Sequence, residues 1–367
     1  MRPASEAELA EAIAGAQGAL AIRGGGTRGV SVEGAPLETR GLSGISLYEP
    51  AALTLVAGAG TPLAEIEAVL AQEGQRLAFE PVDHRGLFGI TGEPTIGGVF
   101  AGNICGPRRV QVGAARDFLL GVRFVDGLGR VIGNGGRVMK NVTGYDLVKL
   151  MAGSWGTLGV LSEVSFKVLP APEALACVLI YGLDDASAVR VLARALGSPF
   201  DVSGAAHVPV GIDGHPVTMI RIEGFEGSVR YRAEKLLRMF TGLDARIEDD
   251  PIKVTAGWKW LRDVQAWHGL DGDIWRISCR PGEAPSLVSR ADAQQVIYDW
   301  GGGLIWLRMA EGADLRGRLG AFDGHATCLR GSAPRFPAQP EPVAALSRGI
   351  RARFDPRGIL NAGVMGG

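Results

Sequence analysis

The order of apolar segments in this chain of 367 residues predicts an α+β fold in two parts. Up to residue 170, glycine and other small residues recur where a chain would otherwise carry bulk, most densely over 91–170. Beyond that point strand-like segments alternate with helical ones, which predicts an antiparallel sheet covered by helices on one face. The run Pro170-Ala171-Pro172 marks the boundary, because prolines interrupt regular structure. We therefore expect domains at 1–170 and 171–331.

The chain begins with a predicted helix. Ser5 and Glu8 have the spacing of a capping box, in which a serine caps the helix and a glutamate three residues later reaches back. Leu9 and Ile13 fall on one face of the helix that follows.

A glycine loop follows the next apolar run, ALAI, which predicts a strand. The loop reads RGGGTR at 23–28. A dinucleotide-binding fold of the Rossmann kind needs a helix directly after such a loop. The residues that follow, VSVEGAPLETRG, contain β-branched residues, Gly and Pro and have no helical repeat of apolar residues, so we predict no helix there. The loop remains suited to holding phosphate oxygens through a nest of backbone N–H groups.

Three further signals organise the first part. The run ALTLVAGAG predicts a strand, and Thr61-Pro62 predicts a helix with the threonine as cap and the proline at its first position. Asp126-Gly127 joins two apolar runs and predicts a β-hairpin. The alternating run LSEVSFKVLP predicts the strand that ends the domain.

The second part contains two predicted strand–helix pairs. We expect ALACVLIY and PVTMIRIEGF to be strands, and DASAVRVLARALG and SVRYRAEKLLRMFTGL to be helices. Trp258, Trp260 and Trp267 are expected to lie in the core or at an interface.

Composition excludes several functions. With 38 basic against 39 acidic residues, the net charge of −1 shows no footprint for nucleic acid. Four separated cysteines cannot form the clustered thiolates of an iron–sulfur site, and we expect them to be buried and reduced. We also expect no signal peptide and no transmembrane segment, because no apolar run approaches the roughly 18 residues of a span.

The motifs and their order resemble a known family. RGGGT, then Glu80-Pro81, then TIGG with AGN at 95–103, then GTLGV at 156–160, resemble the FAD-binding domain of the vanillyl-alcohol oxidase or PCMH type. The tail FDPRGILN at 354–361 is similar to the segment that closes the flavin site in that family. GNICGPRRVQVGAARDFLLGV, KNVTGYDLVKLMAGSWGTLGV and WGGGLIWLR are more specific, and resemble the FAD-binding subunit of bacterial glycolate oxidase, the GlcE type.

The resemblance implies non-covalent FAD, a cap domain over the flavin at 171–331, and a C-terminal segment at 332–367 that returns to the FAD domain. No histidine or cysteine occupies a convincing position for covalent attachment, and His84 matches poorly. The implied FAD-binding residues come from five segments: Arg23, Gly24, Gly25, Gly26, Thr27 and Arg28; Pro81; Thr95, Gly97, Gly98, Ala101, Gly102 and Asn103; Thr157, Gly159 and Val160; and Asn361.

Catalytic residues are not evident. Relatives that catalyse carry a His-rich cap segment with Gly-Asp-Gly, which resembles a metal or base site. Here the five histidines are scattered, none at metal-ligand spacing, and we predict no metal site. His325, in Phe322-Asp323-Gly324-His325, is the weak candidate for a catalytic role.

By resemblance, the chain is the FAD-binding subunit of an FAD-dependent glycolate dehydrogenase that oxidises this 2-hydroxy acid to glyoxylate. Its expected partners are a larger FAD-binding subunit and an iron–sulfur subunit that passes electrons to quinone. The resemblance implies a cytoplasmic protein that reaches the inner face of the cytoplasmic membrane through that complex.

Two alternatives stay open. An autonomous FAD-dependent oxidase of a 2-hydroxy acid or alditol would need a base and a carboxylate-binding arginine converging over the flavin. A scaffold subunit would keep the fold and bind partners without FAD, and the intact glycine positions argue against it.

Overall fold

The computed structural model describes residues 1–137 and 144–366. Residues 140–143, the start of the KNVTGYD motif, lie outside these ranges. The strands up to residue 170 are β1 (Leu20–Arg23), β2 (Ala35–Glu38), β3 (Ile45–Glu49), β4 (Thr54–Gly58), β5 (Gln75–Arg76), β6 (Leu119–Val125), β7 (Val131–Gly135), β8 (Val160–Lys167) and β9 (Leu169–Pro170). The helices are α1 (Glu6–Ala14), α2 (Leu63–Gln72), α3 (Arg85–Phe88), α4 (Ile96–Ala101), α5 (Arg109–Val112), α6 (Ala115–Phe118) and α7 (Leu147–Met151).

A five-stranded antiparallel sheet, in the order β3-β4-β8-β6-β7, forms the centre of this part. The hairpin predicted at Asp126-Gly127 is confirmed, since β6 and β7 pair across it. β1 and β2 form a separate parallel pair, and no helix lies between them, as predicted. The glycine loop therefore leaves β1 and returns as extended chain.

The N-termini of α1 and α2 test the two predicted helix caps. Ser5 caps α1 and accepts a hydrogen bond from the Glu8 amide, and Leu9 and Ile13 are fully buried, so that prediction is confirmed. The predicted Thr61 cap is wrong. Pro62 stands at the N-cap of α2, and the Thr61 hydroxyl donates instead to the Gly58 carbonyl at 2.7 Å. The hydroxyl thus closes the end of β4 and is not free to cap the helix.

The second part carries eight strands and five helices. The strands are β10 (Ala174–Tyr181), β11 (Val202–Val208), β12 (Val217–Gly224), β13 (Ala245–Glu248), β14 (Asp273–Cys279), β15 (Gln295–Asp299), β16 (Leu304–Met309) and β17 (Gly324–Arg330). The helices are α8 (Asp185–Leu196), α9 (Glu226–Met239), α10 (Pro251–Arg262), α11 (Ala284–Ala291) and α12 (Leu315–Leu319). All eight strands join one antiparallel sheet in the order β13-β10-β12-β11-β15-β16-β14-β17. The predicted α+β class is confirmed.

The two faces of this sheet have different neighbours. The outer face packs against α8, α9, α11 and α12, whose apolar side chains form two buried clusters with the strands. The inner face packs against α10 and the first part of the chain. Trp258, Trp267 and Trp306 are buried there together with Leu87 of α3. Trp258 and Trp267 therefore lie in the core between the two parts, as predicted.

The last helix, α13 (Glu341–Phe354), has no buried residue. After it the chain returns to the first part, where Leu360 forms an isolated bridge with Leu20 of β1. Within the described ranges, no helix is long and apolar enough to cross a membrane. The division into domains at 170 and 331 remains an interpretation.

Candidate functional site

A cleft of about 820 Å³, which includes space open to solvent, lies in the first part of the molecule. Its walls come from the loop after β1, the start of α4, the turn before β8 and the C-terminal segment. Fourteen of the predicted FAD-binding residues line it: Arg23, Gly24, Gly25, Gly26, Thr27, Arg28, Thr95, Gly97, Gly98, Ala101, Gly102, Gly159, Val160 and Asn361. The fold thus brings four distant glycine-rich segments to one cleft.

Three predicted positions do not line the cleft. Pro81 is buried beside the interface between the two parts. The side-chain Oδ1 of Asn103 accepts a hydrogen bond from the Arg116 backbone amide at 3.0 Å. The Thr157 hydroxyl donates to the Ser154 carbonyl at 2.7 Å. Asn103 and Thr157 use these bonds to shape the loops that carry lining residues.

Sequence reasoning missed several residues of the wall. Trp155 lines the cleft immediately before the recognised GTLGV motif, and its φ of 53° holds it in the left-handed region. An aromatic residue next to a conformationally demanding glycine turn was the available signal. Gly156 stands in the GTLGV motif but was not among the predicted cofactor residues. The others carry no motif and follow from the fold alone: Ile22, Val30, Thr39, Ala59 and Leu161.

Asn361 joins three segments of the wall. Its carbonyl oxygen accepts from the Ile22 amide at 2.7 Å, and its amide group donates to the carbonyls of Trp155 at 2.8 Å and Ile22 at 3.3 Å. The side chain therefore fixes the C-terminal segment against β1 and the turn before β8. This contact closes one end of the cleft.

Two arginines present unpaired donors beside the cleft. Arg28 donates to the Val82 carbonyl and to His84 Nδ1, both at 2.9 Å, while its buried Nη2 has no partner among the described residues. Burial lowers the pKa of Arg28 to about 10, an effect that Asp83 opposes, so the guanidinium remains charged at neutral pH. Arg335 stacks on Trp155 at 5.3 Å, and its buried Nη1 also lacks a partner there. An anionic ligand such as a pyrophosphate would satisfy both donors.

His84 lies behind Arg28. The guanidinium can only donate, so His84 Nδ1 must be the acceptor and the ring is neutral. Burial and the nearby guanidiniums of Arg28, Arg276 and Arg335 hold the pKa of His84 well below its usual range. The nitrogen that Arg28 occupies is therefore not free for attachment to a cofactor.

A buried ion network joins the two parts of the chain. Arg221 of β12 donates from both terminal nitrogens to Glu80, each at 3.0 Å, and stacks on Trp258 at 4.4 Å. Glu223, two residues along β12, accepts from Arg108 at 2.8 Å twice and from Arg76 at 2.8 Å. Burial alone would raise the pKa of both glutamates, but the arginines hold the pKa of Glu80 below and that of Glu223 well below the usual value. The network fixes the inner face of the cap sheet against the first part.

His325, the weak catalytic candidate, lies at the exposed start of β17. It stands opposite Ser278 in the pairing of β14 with β17. No side-chain hydrogen bond orients its ring within residues 1–137 and 144–366. In the same ranges, no three His, Cys, Asp or Glu side chains are grouped so that they could hold a metal ion.

The fold and the cleft define an FAD-binding protein, and comparison with known proteins agrees. A family model described as an FAD binding domain matches residues 1–133. Glycolate oxidase subunit GlcE of Escherichia coli (strain K12) is 36% identical over 353 residues, which cover 94% of this chain and 92% of that protein. The chain belongs to the family of this GlcE subunit, which confirms the resemblance seen in its motifs and FAD as its cofactor.

Other relatives match over shorter stretches. Glycolate oxidase subunit GlcD of Bacillus subtilis (strain 168) is 41% identical over 98 residues, which are 26% of this chain and 21% of that protein. Among solved structures, an alkyldihydroxyacetonephosphate synthase superposes with a TM-score of 0.73 and 15% identity, covering 99% of this chain and 75% of that one. The structural likeness concerns the fold.

Proposed function

We propose that the chain is the FAD-binding subunit of a complex that oxidises glycolate to glyoxylate. A larger FAD-binding subunit and an iron–sulfur subunit complete the complex and pass electrons to quinone. The observation that carries the proposal is the 36% identity to GlcE, because it spans 94% of this chain and nearly all of that subunit. The complex is placed in the cytoplasm, at the inner face of the cytoplasmic membrane.

Bound FAD would supply the redox chemistry, since it can accept a hydride from a substrate carbon. The residues around the cleft hold it. The loop from Gly24 to Arg28 would hold the pyrophosphate, and the unpaired donor of Arg28 would supply a positive charge beside it. Thr95, at the N-cap of α4, orders the amides on the opposite wall, since it accepts from the Gly98 amide at 3.3 Å.

FAD is bound without a covalent link. The only histidine beside the loop, within the described ranges, is His84, whose Nδ1 already accepts from Arg28. Acid precipitation of the purified yellow protein is expected to release FAD into the supernatant. Flavin that remains in the pellet would show a covalent link.

The isolated chain is not expected to oxidise glycolate at a useful rate. A general base typically contributes about 10²–10⁴-fold and must be held in position. His325 lies at an exposed strand end without an orienting partner among the described residues. A catalytic base is therefore expected from the larger subunit.

Anaerobic reduction of the flavin tests the proposal. FAD-loaded chain is mixed with glycolate, alone and with the larger flavoprotein subunit, and flavin absorbance is followed. Bleaching only with the partner supports the proposal. Rapid bleaching by the chain alone would identify an autonomous oxidase, and a purified chain without flavin absorbance would identify a scaffold subunit.

A further inference from the structure

Two arginines and a histidine on the inner side of the cap sheet form what we call the cationic cluster: Arg109, Arg276 and His325. Arg276 on β14 stands opposite Trp306 on β16, and Ser278 stands opposite His325 on β17. Directly paired residues of antiparallel strands project from the same face of the sheet. Trp306 is buried against the first part of the chain, so Arg276 and His325 project toward that side.

The guanidinium groups of both arginines stack on the ring of Trp300. The guanidinium carbon of Arg276 lies 4.9 Å from the centre of the Trp300 ring, and that of Arg109, from α5 in the first part, lies 4.8 Å from it. The indole itself is fixed, because its Nε1 donates to the Gly106 carbonyl at 3.1 Å across the interface. Trp300 also has a φ of 53°, which a non-glycine residue adopts only where its surroundings impose it. The cluster is therefore assembled from both parts of the chain around one rigid platform.

Among the described residues, the cluster has no carboxylate in direct contact, although the charge of Asp299 acts on Arg276 from a longer distance. The neighbouring interface arginines Arg76, Arg108 and Arg221 all bind Glu80 or Glu223. In the described part of the chain, Arg276 and Arg109 have no carboxylate within 4.0 Å. The Nε of Arg276 is buried without a hydrogen-bond partner there, and the side chain of Arg109 donates to the Cys105 sulfur at 3.3 Å. An anion bound beside Arg276 and Arg109 would supply the counter-charge that neither guanidinium has in direct contact.

We propose that the cationic cluster binds the carboxylate of a small 2-hydroxy or 2-oxo acid, with Arg276 and Arg109 as its donors and Trp300 as a flat wall. The planar guanidinium fork matches the two oxygens of a carboxylate. A small molecule can reach the cluster, because Arg109, Arg276 and Trp300 are partly exposed and His325 is exposed. The proposal rests on the proposed function only in that it assigns this carboxylate to the glycolate that the complex oxidises.

His325 projects from the same face of the sheet as Arg276, so we assign it to the other end of such an acid. Although His325 as a whole residue is exposed, partial desolvation of its ring and the charges of Arg276 and Arg109 lower its pKa, which favours a neutral imidazole. A neutral ring can accept a hydrogen bond from a hydroxyl group, whereas an imidazolium only donates. This distinguishes the carboxylate end of the ligand, held by the arginines, from its hydroxyl end.

Ligand binding to the FAD-loaded chain tests the proposal without activity. Glycolate and glyoxylate are titrated by calorimetry and by Trp fluorescence, with glycolamide as the neutral analogue. Arg276→Gln and Arg109→Gln are each expected to weaken glycolate binding by about 10-fold or more, since each removes a charged hydrogen-bond donor. Arg246→Gln is the matched control, because Arg246 stacks on Tyr181 at 5.1 Å in the same sheet, far along the strand order.

The outcomes are distinct. Weak binding in the two variants, parent-like binding in the control, and partial recovery in Arg276→Lys support the site. Equal binding of glycolamide, or parent-like binding in Arg276→Gln, overturns it. An acidic side chain of a partner offers the same carboxylate, and a cluster reserved for it would leave the isolated chain unable to bind glycolate, which also overturns the assignment. Flavin content, measured separately, reports on the proposed function. Loss of glycolate binding can therefore be distinguished from loss of FAD binding.

Discussion

Gly25 and Gly98 both line the cleft, but a side chain would meet different neighbours at each. A Cβ on Gly25 would overlap the carbonyl oxygen of Glu93, so this glycine is required by the packing of the loop itself. A Cβ on Gly98 would have one close neighbour, Thr95 Oγ1 at 3.3 Å, and would otherwise face the cleft. Gly25→Val is therefore expected to disturb the loop as well as FAD binding, and Gly98 gives the cleaner test.

Gly98→Val is expected to lower the flavin-to-protein ratio at least about 10-fold while the chain remains folded, because the added methyl groups occupy space that the cofactor needs. The ratio of flavin to protein absorbance measures the effect, with circular dichroism to report folding. Gly227→Val is the control, since Gly227 lies in α9 with open space around its Cβ position. Parent-like flavin content in Gly98→Val would remove this residue from the FAD site.

At the residue scale, the sequence predicts the site residues that stand in recognisable motifs. It does not predict contacts between residues that are far apart in the chain and meet only in the folded structure. The RGGGT loop and Asn361 were found because each stands in a motif. Arg335 was missed, and so was its contact with Trp155, since 180 positions of unrelated sequence separate the two residues. Likewise, sequence spacing showed no basic cluster, although Arg109 and Arg276 meet at Trp300. Long-range pairing of this kind leaves no local pattern.

At the scale of elements, strand β12 carries the contacts that fix the cap sheet to the first part. Glu223→Gln is expected to destabilise the chain by about 3–5 kcal/mol, because Arg76 loses its anionic partner and Arg108 keeps only its contact with Glu80 at 3.3 Å. Urea unfolding measures this. Glu226→Gln on α9 is the control, since its ion pair with Arg230 is exposed and is worth about 0.5 kcal/mol or less.

The direction in which the stability contributed by Glu223 changes with pH follows from the lowered pKa of this residue. The folded chain keeps this carboxylate ionised at pH values where the unfolded chain would protonate it. Its contribution is therefore fully present above the ordinary glutamate value of 4.5 and is lost as the pH falls below it. Glu223→Gln should reduce the loss of stability that the chain shows as the pH falls. If the stability of the variant falls with pH as steeply as that of the parent, this account of the network is contradicted.

Asp299, at the end of β15, has the opposite effect on how stability depends on pH. It is 2% exposed, and burial raises its pKa to about 7, although the Trp300 amide donates to it at 2.7 Å. The folded chain holds a proton there that the unfolded chain releases near 3.8, so stability falls as the pH rises between these values. Asp299→Asn is expected to raise the free energy of unfolding at pH 8 by about 1–4 kcal/mol and to leave it nearly unchanged at acid pH.

Thermal or urea unfolding at several pH values measures the effect of Asp299→Asn in FAD-saturated protein. Asp213→Asn, in the exposed loop between β11 and β12, is the control. A variant whose stability tracks the parent from acid to alkaline pH would show that Asp299 is ionised in the folded chain.

Helices and strands are predicted correctly where apolar residues recur at a regular spacing without interruption. α8 buries Ala188, Val191, Leu192 and Ala195, the residues at helical spacing. The N-terminus of α2 was misjudged because Thr61 has a tertiary partner: its hydroxyl also lies 2.9 Å from the amide of Gly44, which it accepts from. Cap preferences describe isolated helix ends, and a competing contact from a neighbouring strand overrides them.

At the scale of the whole molecule, α13 has no buried residue, and of its residues Phe354 at the C-terminal end packs against the core of the first part. One face of this helix carries Val343, Leu346 and Ile350, which are 47%, 70% and 38% exposed. Their spacing of three and four residues places them in one stripe. Apolar stripes of this kind on a subunit mark surfaces that a partner covers. We expect the larger FAD-binding subunit to contact α13.

Leu346→Arg should therefore weaken association with the larger subunit and leave FAD binding unchanged, because it places a charge in the middle of the stripe, away from the cleft. Co-purification of the two subunits and the flavin-to-protein ratio of this chain are measured together. Ile252→Arg on α10 is the matched control, since Ile252 is 79% exposed and lies outside the stripe. If Ile252→Arg disrupts the complex and Leu346→Arg does not, the partner binds the cap and α13 has another role. If only Leu346→Arg releases the partner while the flavin stays, the C-terminal helix is the docking element. The segment after it closes the flavin cleft through Asn361, so partner contact and cofactor retention would then meet in one short stretch of chain.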